Sequence, residues 1–243
     1  MIICKFGGSV ITEKDRRETL DGPTLDALAD AVAGTDEDLV VVHGAGSFGH
    51  VYADEHGAGV DSGIRDVGAI MDIHGAMKTL NSFVLSRLQE RGVPAVPVHP
   101  FSFGRRGTEG ELTLPLEQVK TMVDEGFVPV LHGDGVVHEG EGVTILSGDE
   151  VVVRLARDLD ADRVGMVSTV PGVFDESGEV VERIERIEDV AEALGGSDAT
   201  DVTGGMAGKV RTLLELDATS YIFDPDSLPA FLRGEEAGTR IDG

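Results

Sequence analysis

Short apolar runs rich in β-branched residues recur along the chain, and longer stretches with helical spacing separate them. The runs lack strict alternation of apolar and polar positions, which is typical of strands buried on both faces of a parallel sheet. This pattern predicts six strands, Ile2–Phe6, Leu39–His43, Ala95–Val98, Val128–Leu131, Arg163–Val167 and Ser220–Phe223. It predicts five helices between them, Thr24–Ala33, Asp66–Arg91, Pro115–Glu125, Glu150–Leu159 and Ala207–Leu216.

The order of these elements predicts an α/β protein, a three-layer αβα sandwich around a largely parallel central sheet. Two stretches rich in Gly and Glu, Gly104–Leu112 and Gly135–Ile145, predict hairpins that decorate the sheet. We find no internal repeat, low-complexity linker or break in composition that would mark a domain boundary. The chain is therefore expected to form a single domain over residues 1–243.

The charge of the chain narrows its possible partners. With 20 basic and 45 acidic residues, the formal net charge is −25. This charge argues against nucleic acid or an anionic membrane as a partner, since both are polyanions. Few lysines, many small residues and no tryptophan favour a halophilic protein, kept soluble in concentrated salt where charge repulsion is screened.

The single cysteine and the absence of long apolar runs indicate a location. Cys4 lies inside a predicted strand and has no second cysteine to pair with, which suits a reducing cytoplasm. The N-terminal residues lack the apolar core of a signal peptide, and no run is long enough to span a membrane. We expect a cytoplasmic protein without a membrane partner.

The lysines mark candidate chemistry, because the chain has only five of them. Three, Lys5, Lys14 and Lys209, lie in or beside glycine-rich turns. The other two, Lys78 and Lys120, lie in helical stretches and are expected on the surface. An ammonium group is a compact charge that can follow a moving phosphoryl group, so the first three are candidates for phosphate chemistry.

The first glycine turn is Lys5-Phe6-Gly7-Gly8-Ser9, at the end of the first strand. Two glycines let the backbone turn sharply and present N–H groups to an anion, and Lys5 can point its ammonium group to the same place. A tight strand-to-helix turn with an incidental lysine would explain this segment equally well.

The second turn, His43–His50, contains Gly44-x-Gly46-x-x-Gly49 and formally matches the dinucleotide fingerprint. That fingerprint also needs a following strand that ends in an acidic residue, whereas here the chain runs into a long helix. A strand, a glycine turn and a helix N-terminus remain, and these bind phosphate of any origin. His50 could donate a hydrogen bond to that phosphate, or it could be an ordinary helix histidine satisfied by a neighbouring carbonyl.

Two later segments resemble further anion-facing helix starts. Ser147-Gly148-Asp149 could be a simple N-cap, or Asp149 could align nearby lysines. Thr203-Gly204-Gly205 opens a helix with Lys209 one turn inside, but the flanking residues do not match a P-loop. Because loops after parallel strands gather at one sheet edge, these turns together predict a ligand with several phosphates.

In this order and spacing, the segments resemble the amino-acid kinase superfamily and, within it, the isopentenyl phosphate kinases. The resemblance covers essentially the whole chain and implies the amino-acid kinase fold. His50 discriminates most, since relatives that phosphorylate a carboxylate or carbamate generally lack a histidine there. The implied reaction is transfer of a phosphoryl group from ATP to isopentenyl phosphate, with Mg²⁺ held by nucleotide oxygens and few direct protein ligands.

The resemblance also implies residue roles. The acceptor phosphate would be bound by Ala45, His50 and Gly148, where Ala45 replaces a glycine of many relatives. Lys14 would stabilise the transition state. The nucleotide would be bound by Lys5, Phe6, Gly7, Gly8, Ser9, Gly46, Thr169, Gly172, Gly205 and Lys209.

The N-terminal part would mainly bind the acceptor and the C-terminal part the nucleotide, and a homodimer is expected. An apolar wall for the prenyl tail is expected on the helix Asp66–Arg91, at Met77, Leu80, Phe83 and Val84, although core packing explains their spacing equally well. Three other functions stay open: a kinase for another small phosphate or phosphonate, similar to a fosfomycin kinase; a nucleotide-binding regulatory module; and a dinucleotide-dependent oxidoreductase.

Overall fold

A large, mostly parallel sheet forms the centre of the molecule in the computed structural model, which describes residues 1–190 and 205–243. Its eight strands have the order β10-β12-β11-β9-β1-β2-β6-β3, and β5-β4-β7-β8 form a second, smaller sheet. The strands in the described residues are β1 (Ile2–Phe6), β2 (Leu39–His43), β3 (Ala95–Pro97), β4 (Arg105–Arg106), β5 (Leu112–Thr113), β6 (Val128–His132), β7 (Asp134–His138), β8 (Gly142–Leu146), β9 (Arg163–Val167), β10 (Arg183–Ile184), β11 (Thr219–Phe223) and β12 (Thr239–Ile241).

Three of the longer helices begin at a residue whose side chain accepts a hydrogen bond from their first turn. Asp21 and Asp66 each accept a hydrogen bond from an N–H group of the first turn that follows, and Ser147 forms a capping box with Glu150. The α-helices in the described residues are α1 (Gly8–Ile11), α2 (Gly22–Ala33), α3 (Gly46–His56), α4 (Val67–Gln89), α5 (Glu117–Asp124), α6 (Gly148–Asp158), α7 (Gly205–Leu213) and α8 (Leu228–Leu232).

Strand β1 lies at the centre of the large sheet, between β2 and β9. Both pairings are parallel, and Phe6 at the end of β1 is in register with His43 and Val167. Only the β11–β12 pair is antiparallel among the pairings of this sheet in the described residues. The turns that follow β1, β2, β6 and β9 therefore meet at one edge.

The two faces of the sheet are covered by different helices. Cys4 and Phe6 of β1 pack in one apolar cluster with residues of α2, α4 and α8. Ile3 packs in the opposite cluster with residues of α5, α6 and α7. This arrangement confirms the predicted three-layer sandwich and follows from the alternation of side chains along a strand.

Both predicted hairpins are confirmed. β4 and β5 pair antiparallel across the first stretch, and β7 and β8 pair antiparallel across the second, each pairing extending one residue beyond the predicted bounds. The parallel pairing of β4 with β7 joins the two hairpins into the smaller sheet.

The sequence did not predict β10, β12 and α8, because segments of two to five residues are too short to show a period. The predicted helix ends differ from the observed ends by at most three residues, and the predicted end of α2 at Ala33 is exact. For example, α6 begins at Gly148, two residues before the predicted start, because Ser147 caps it. None of the helices in the described residues is both long enough and apolar enough to cross a membrane.

Cys4 provides a test of the fold. Its side chain is fully buried in β1, and burial raises the pKa of the thiol well above its ordinary value. Since the thiolate is the reactive form, we expect Cys4 in the folded protein to resist a thiol reagent. In the unfolded chain, Cys4 should react with one equivalent of the reagent. Absorbance after addition of Ellman's reagent, with and without denaturant, measures this. A Lys120→Cys variant serves as the reactive control, and rapid labelling of Cys4 in the folded protein would contradict the arrangement.

Candidate active site

The turns that follow β1 and β2 touch backbone against backbone. A Cβ atom on Gly8 would lie 2.2 Å from the nitrogen of Gly46, and one on Gly44 would lie 2.6 Å from the nitrogen of Gly8. No residue with a side chain fits at either position without moving the other turn. The two predicted glycine turns therefore form one surface at the edge of the sheet.

Thr12 fixes the two turns to each other. Its hydroxyl donates to the carbonyl of Gly8 at 2.8 Å and accepts from the N–H of Ser47 at 3.0 Å. Gly46 adopts a left-handed conformation with φ +50 at this point. Within the described parts of the chain, the N–H groups of Gly8, Ala45 and Gly46 have no acceptor. Three donors are thus free to bind an anion.

The side chain of Lys5 reaches this surface from below, on the α6 side of the sheet. It is 9% exposed, and its ammonium group forms an ion pair with Asp149. The ammonium group of Lys209 lies 3.7 Å from the other oxygen of the same carboxylate. The structure thus brings together two of the three predicted lysines on one predicted carboxylate.

The ionisation of Asp149 reflects this position. Burial works to raise the pKa of its carboxyl, but the charges of Lys5 and Lys209 outweigh burial and hold the pKa below its ordinary value. The cluster therefore carries two positive charges against one negative charge. A net positive charge remains at the sheet edge for an anionic ligand.

The start of α6 places Asp149 in this position. The capping box of Ser147 and Glu150 fixes the first turn, and the Glu150 carboxylate also accepts from Arg106 of β4 at 2.5 Å. A Cβ atom on Gly148 would lie 3.1 Å from Cε of Lys5, so glycine allows α6 to approach β1. The smaller sheet and the large sheet meet at this helix start.

Lys14 and His50 lie apart from the contact between Lys5, Asp149 and Lys209. Lys14 is exposed on the loop between α1 and α2, and forms no ion pair or hydrogen bond with the described residues. His50 is exposed on the second turn of α3. α3, which carries His50, begins at the glycine surface, and the loop with Lys14 follows α1, which also begins there.

The remaining residues of the first turn differ in what they expose. Gly7 donates to the carbonyl of Val167 at 3.0 Å, which ties the turn to β9. The side chain of Phe6 is fully buried in the core, so only its backbone can face a ligand. Ser9 is exposed on α1.

Of the two predicted nucleotide residues after β9, Thr169 is exposed and Gly172 is buried. A Cβ atom on Gly172 would lie 2.5 Å from the hydroxyl oxygen of Thr239, which accepts from the N–H of Val173 at 2.8 Å. Close packing against β12 therefore accounts for the glycine at position 172.

The last glycine segment is described only in part. Gly205 begins α7 with a left-handed φ of +57, and Lys209 follows one turn later. The predicted residues Asp201–Gly204 lie outside the described residues.

Three of the four side chains expected to line a prenyl-tail site belong to the core. Met77, Leu80 and Val84 are almost fully buried in the cluster that contains β1, whereas Phe83 is 39% exposed. The alternative explanation, core packing, holds for these three. A separate small apolar cluster joins α3 to α4 through Ala53 and Ile73.

The two remaining lysines lie on the surface, as expected. Lys78 is exposed on α4, and Lys120 forms an exposed ion pair with Asp124 one turn along α5.

Sequence reasoning missed a group of histidines under the glycine surface. The rings of His43 and His132, at the ends of β2 and β6, stack with centroids 5.3 Å apart. Nδ1 of each ring donates to the carbonyl of the glycine that follows, at 3.0 Å for His43 and 2.8 Å for His132. His99 lies 2.8 Å from the other nitrogen of His132, and His74 contacts Asp134 at 2.9 Å.

Burial favours the uncharged form of three of these histidines, His43, His99 and His132. Burial lowers the pKa of His43 to about 4, against its hydrogen bonds to Gly44 and Asn81. Burial also lowers the pKa of His132 well below 6.5 and, with the effect of His74, lowers that of His99. The repeated pattern of a strand that ends in His-Gly was visible in the sequence and could have indicated the pair.

The histidines do not form a metal site. Across residues 1–190 and 205–243, no three His, Cys, Asp or Glu side chains are grouped so that they could hold a metal ion. The glycine surface with Lys5 and Lys209 offers donors for phosphate oxygens rather than ligands for a cation.

Comparison with known proteins adds to this geometry. The model of the amino acid kinase family matches residues 1–218. The isopentenyl phosphate kinase of Haloferax volcanii is 56% identical over 245 residues, which span 100% of this chain and 99% of that protein. The isopentenyl phosphate kinase of Methanothermobacter thermautotrophicus is 35% identical over 266 residues, with coverage of 100% and 99%.

A solved structure is also similar over the full length. An X-ray structure of isopentenyl phosphate kinase aligns with a TM-score of 0.83 at 30% identity. The alignment covers 99% of this chain and 100% of that one. The likeness in sequence and the likeness in fold thus extend over the same residues.

The buried histidines predict that stability falls in mild acid. An unfolded histidine titrates near 6.5, whereas His43 takes up its proton only near 4. Between these values the unfolded chain binds more protons than the folded protein, so the free energy of unfolding decreases as the pH falls. The shift of His43 alone corresponds to about 3 kcal/mol once the pH is below both values.

Urea unfolding at constant salt between pH 7.5 and pH 5 measures this slope. A His43→Gln variant should show a smaller slope than the unaltered protein. Equal stability at both ends of the range would contradict the neutral, buried state of the histidines.

Proposed function

The chain belongs to the amino acid kinase family, and we propose that it transfers the terminal phosphoryl group of ATP to isopentenyl phosphate, giving isopentenyl diphosphate and ADP. Its full-length likeness to isopentenyl phosphate kinases supports this acceptor. The observation that carries the proposal is the cluster of Lys5 and Lys209 on Asp149, beneath a surface of free backbone N–H groups.

The residues present fit the phosphates of a nucleotide. Each ammonium group has three N–H donors, so Lys5 and Lys209 can keep Asp149 and still donate to phosphate oxygens. The turns at Gly8 and Gly46 pack backbone against backbone, which brings their N–H groups together at one surface. We assign the β- and γ-phosphates of ATP to this surface, with Gly7, Ser9, Thr169 and Gly205 at its border.

Transfer to a phosphate needs alignment more than proton removal. A phosphate monoester is already anionic near neutral pH, so no general base is required. The charges of Lys5, Lys14 and Lys209 would reduce repulsion between the two anions and stabilise the transferred group. When bound to the nucleotide oxygens, Mg²⁺ supplies further neutralisation of the developing charge.

The acceptor phosphate would lie between α3 and the start of α6. His50 is the proposed donor to it, helped by the backbone N–H groups of Ala45 and Gly148. Lys14, on the neighbouring loop, would face the transferred group. In this assignment one domain carries both sites, with the acceptor mainly on the N-terminal part and the nucleotide mainly on the C-terminal part.

We further propose a cytoplasmic, halophilic homodimer. The buried, unpaired Cys4 suits a reducing compartment. The net charge of −25 suits concentrated salt. The dimer is expected from the family resemblance.

A kinase assay tests the function. In concentrated KCl with ATP and Mg²⁺, the purified protein should convert isopentenyl phosphate and release ADP, and chelation of Mg²⁺ should stop turnover. Replacement of His50 by alanine should reduce acceptor turnover at least about a hundredfold, with ATP binding retained, because the acceptor phosphate loses a donor. ADP release and ATP binding by calorimetry measure the two effects.

A Lys120→Ala variant is the control, since that side chain lies on the surface of α5. Faster turnover of a small phosphonate than of isopentenyl phosphate would favour the related phosphonate kinase. Full activity of the His50→Ala variant would remove His50 from the acceptor site.

The salt requirement makes a separate prediction. Lowering KCl from about 3 M to about 0.1 M lengthens the Debye screening distance from about 2 Å to about 10 Å, so repulsion among the acidic side chains should lower the melting temperature. Thermal unfolding followed by circular dichroism measures this, and light scattering in the same series reports whether the mass is that of a dimer. A melting temperature that rises as salt is removed would contradict adaptation to salt.

A further inference from the structure

The loop between α1 and α2, residues 12–20, is a small hairpin that carries Lys14 near its tip. A bridge between Thr12 and Leu20 closes its base, and the N–H of Glu13 donates to the carbonyl of Thr19 at 2.9 Å. Lys14 itself forms no ion pair or hydrogen bond with the described residues. The reach of its ammonium group is therefore set by where the hairpin is held.

Arg17 fastens this hairpin to the side of α3 by two different interactions. Its guanidinium group donates to both carboxylate oxygens of Glu55, at 2.6 and 3.1 Å. The same group lies over the ring of Tyr52, with Cζ 4.2 Å from the ring centroid. A planar guanidinium can donate two parallel hydrogen bonds to a carboxylate while its face lies on the ring, whereas a lysine ammonium cannot form the bidentate pair.

The ring contact matters in concentrated salt. An exposed ion pair is weakened when the screening length falls to a few ångströms, whereas stacking of the guanidinium on the ring depends less on long-range charge. Tyr52 therefore keeps Arg17 against α3 in concentrated salt, which is the condition that the net charge of −25 suits.

Glu18 has an unfavourable backbone conformation that contacts with α3 maintain. Its φ of +48 is in the left-handed region, which is unfavourable for a residue with a side chain. Two hydrogen bonds to α3 hold it there: its N–H donates to the carbonyl of Ser47 at 3.0 Å, and the Tyr52 hydroxyl donates to its carboxylate at 2.6 Å. The same helix thus binds the hairpin through backbone and side chain.

We propose that Arg17 and Tyr52 are positioning residues for Lys14. They fix the hairpin to α3, which also carries His50. They thereby limit how far the Lys14 ammonium group can move from His50. This inference rests on the proposed function for its kinetic consequence, but not for its structural one.

A spin label tests the structural part without any substrate. Cys4 is buried and is the only cysteine of the chain, so Lys14→Cys introduces a single accessible thiol for a nitroxide. We expect an immobilised spectrum that shifts to fast motion when Arg17→Gln is added. Arg16→Gln is the matched control, because it removes an equal charge from the same loop and its partner, Glu13, is local. An unchanged spectrum in the Arg17→Gln protein would overturn the proposal.

Kinetics test the functional part. Arg17→Gln should lower kcat about tenfold while the KM for ATP changes less than about twofold, since an ill-placed lysine costs alignment rather than nucleotide binding. Tyr52→Phe should have a smaller effect because the ring remains, and Arg17→Lys should recover part of the loss. Arg16→Gln should behave as the unaltered protein.

A double variant separates positioning from general stability. In a Lys14→Ala background, Arg17→Gln should cause no further loss of kcat, because its effect acts through Lys14. A full additional loss there would overturn the proposal. If the unaltered protein does not turn over isopentenyl phosphate, the proposed function fails, and the spin label still decides whether Arg17 fixes position 14.

Discussion

The contact between two glycine turns is the constraint on which the candidate site depends. A Cβ atom at Gly8 or Gly44 would enter the backbone of the other turn. Parallel pairing of β1 with β2 brings the turns side by side, and the missing side chains let them close. The start of α1, the start of α3 and the free N–H groups then share one surface, and Lys5 approaches it from the strand below.

Electrostatics explain how so acidic a chain can bind a polyanion. A net charge of −25 repels phosphate at long range in dilute salt, although concentrated salt screens that repulsion. At short range the charges nearest the surface decide, and there Lys5 and Lys209 outnumber Asp149. Asp149 also keeps the two ammonium groups close together when no anion separates them. Removing that carboxylate would leave two like charges in a largely buried site.

The glycine surface is supported by uncharged groups on its interior side and by charged groups on its outer side. Below it, His43 and His132 donate to the carbonyls of the glycines that follow them, and burial keeps both rings neutral. Outside it, Arg17 binds the Lys14 hairpin to α3 through a carboxylate and an aromatic ring. The interior contacts suit a low dielectric, whereas the outer one tolerates salt because part of it is stacking.

The sequence by itself determined the buried strands, most helices, both hairpins and the glycine turns, because apolar periodicity and turn chemistry are local properties. It also indicated the family through residues such as Lys5 and His50 in order along the chain. Only the tertiary structure decided which groups meet. Lys5 and Asp149 lie 144 residues apart in the chain. No local pattern in the sequence indicates that the end of β1 and the start of α6 are neighbours. The histidine pair and the Arg17 contact have the same origin, since packing of separate elements creates them.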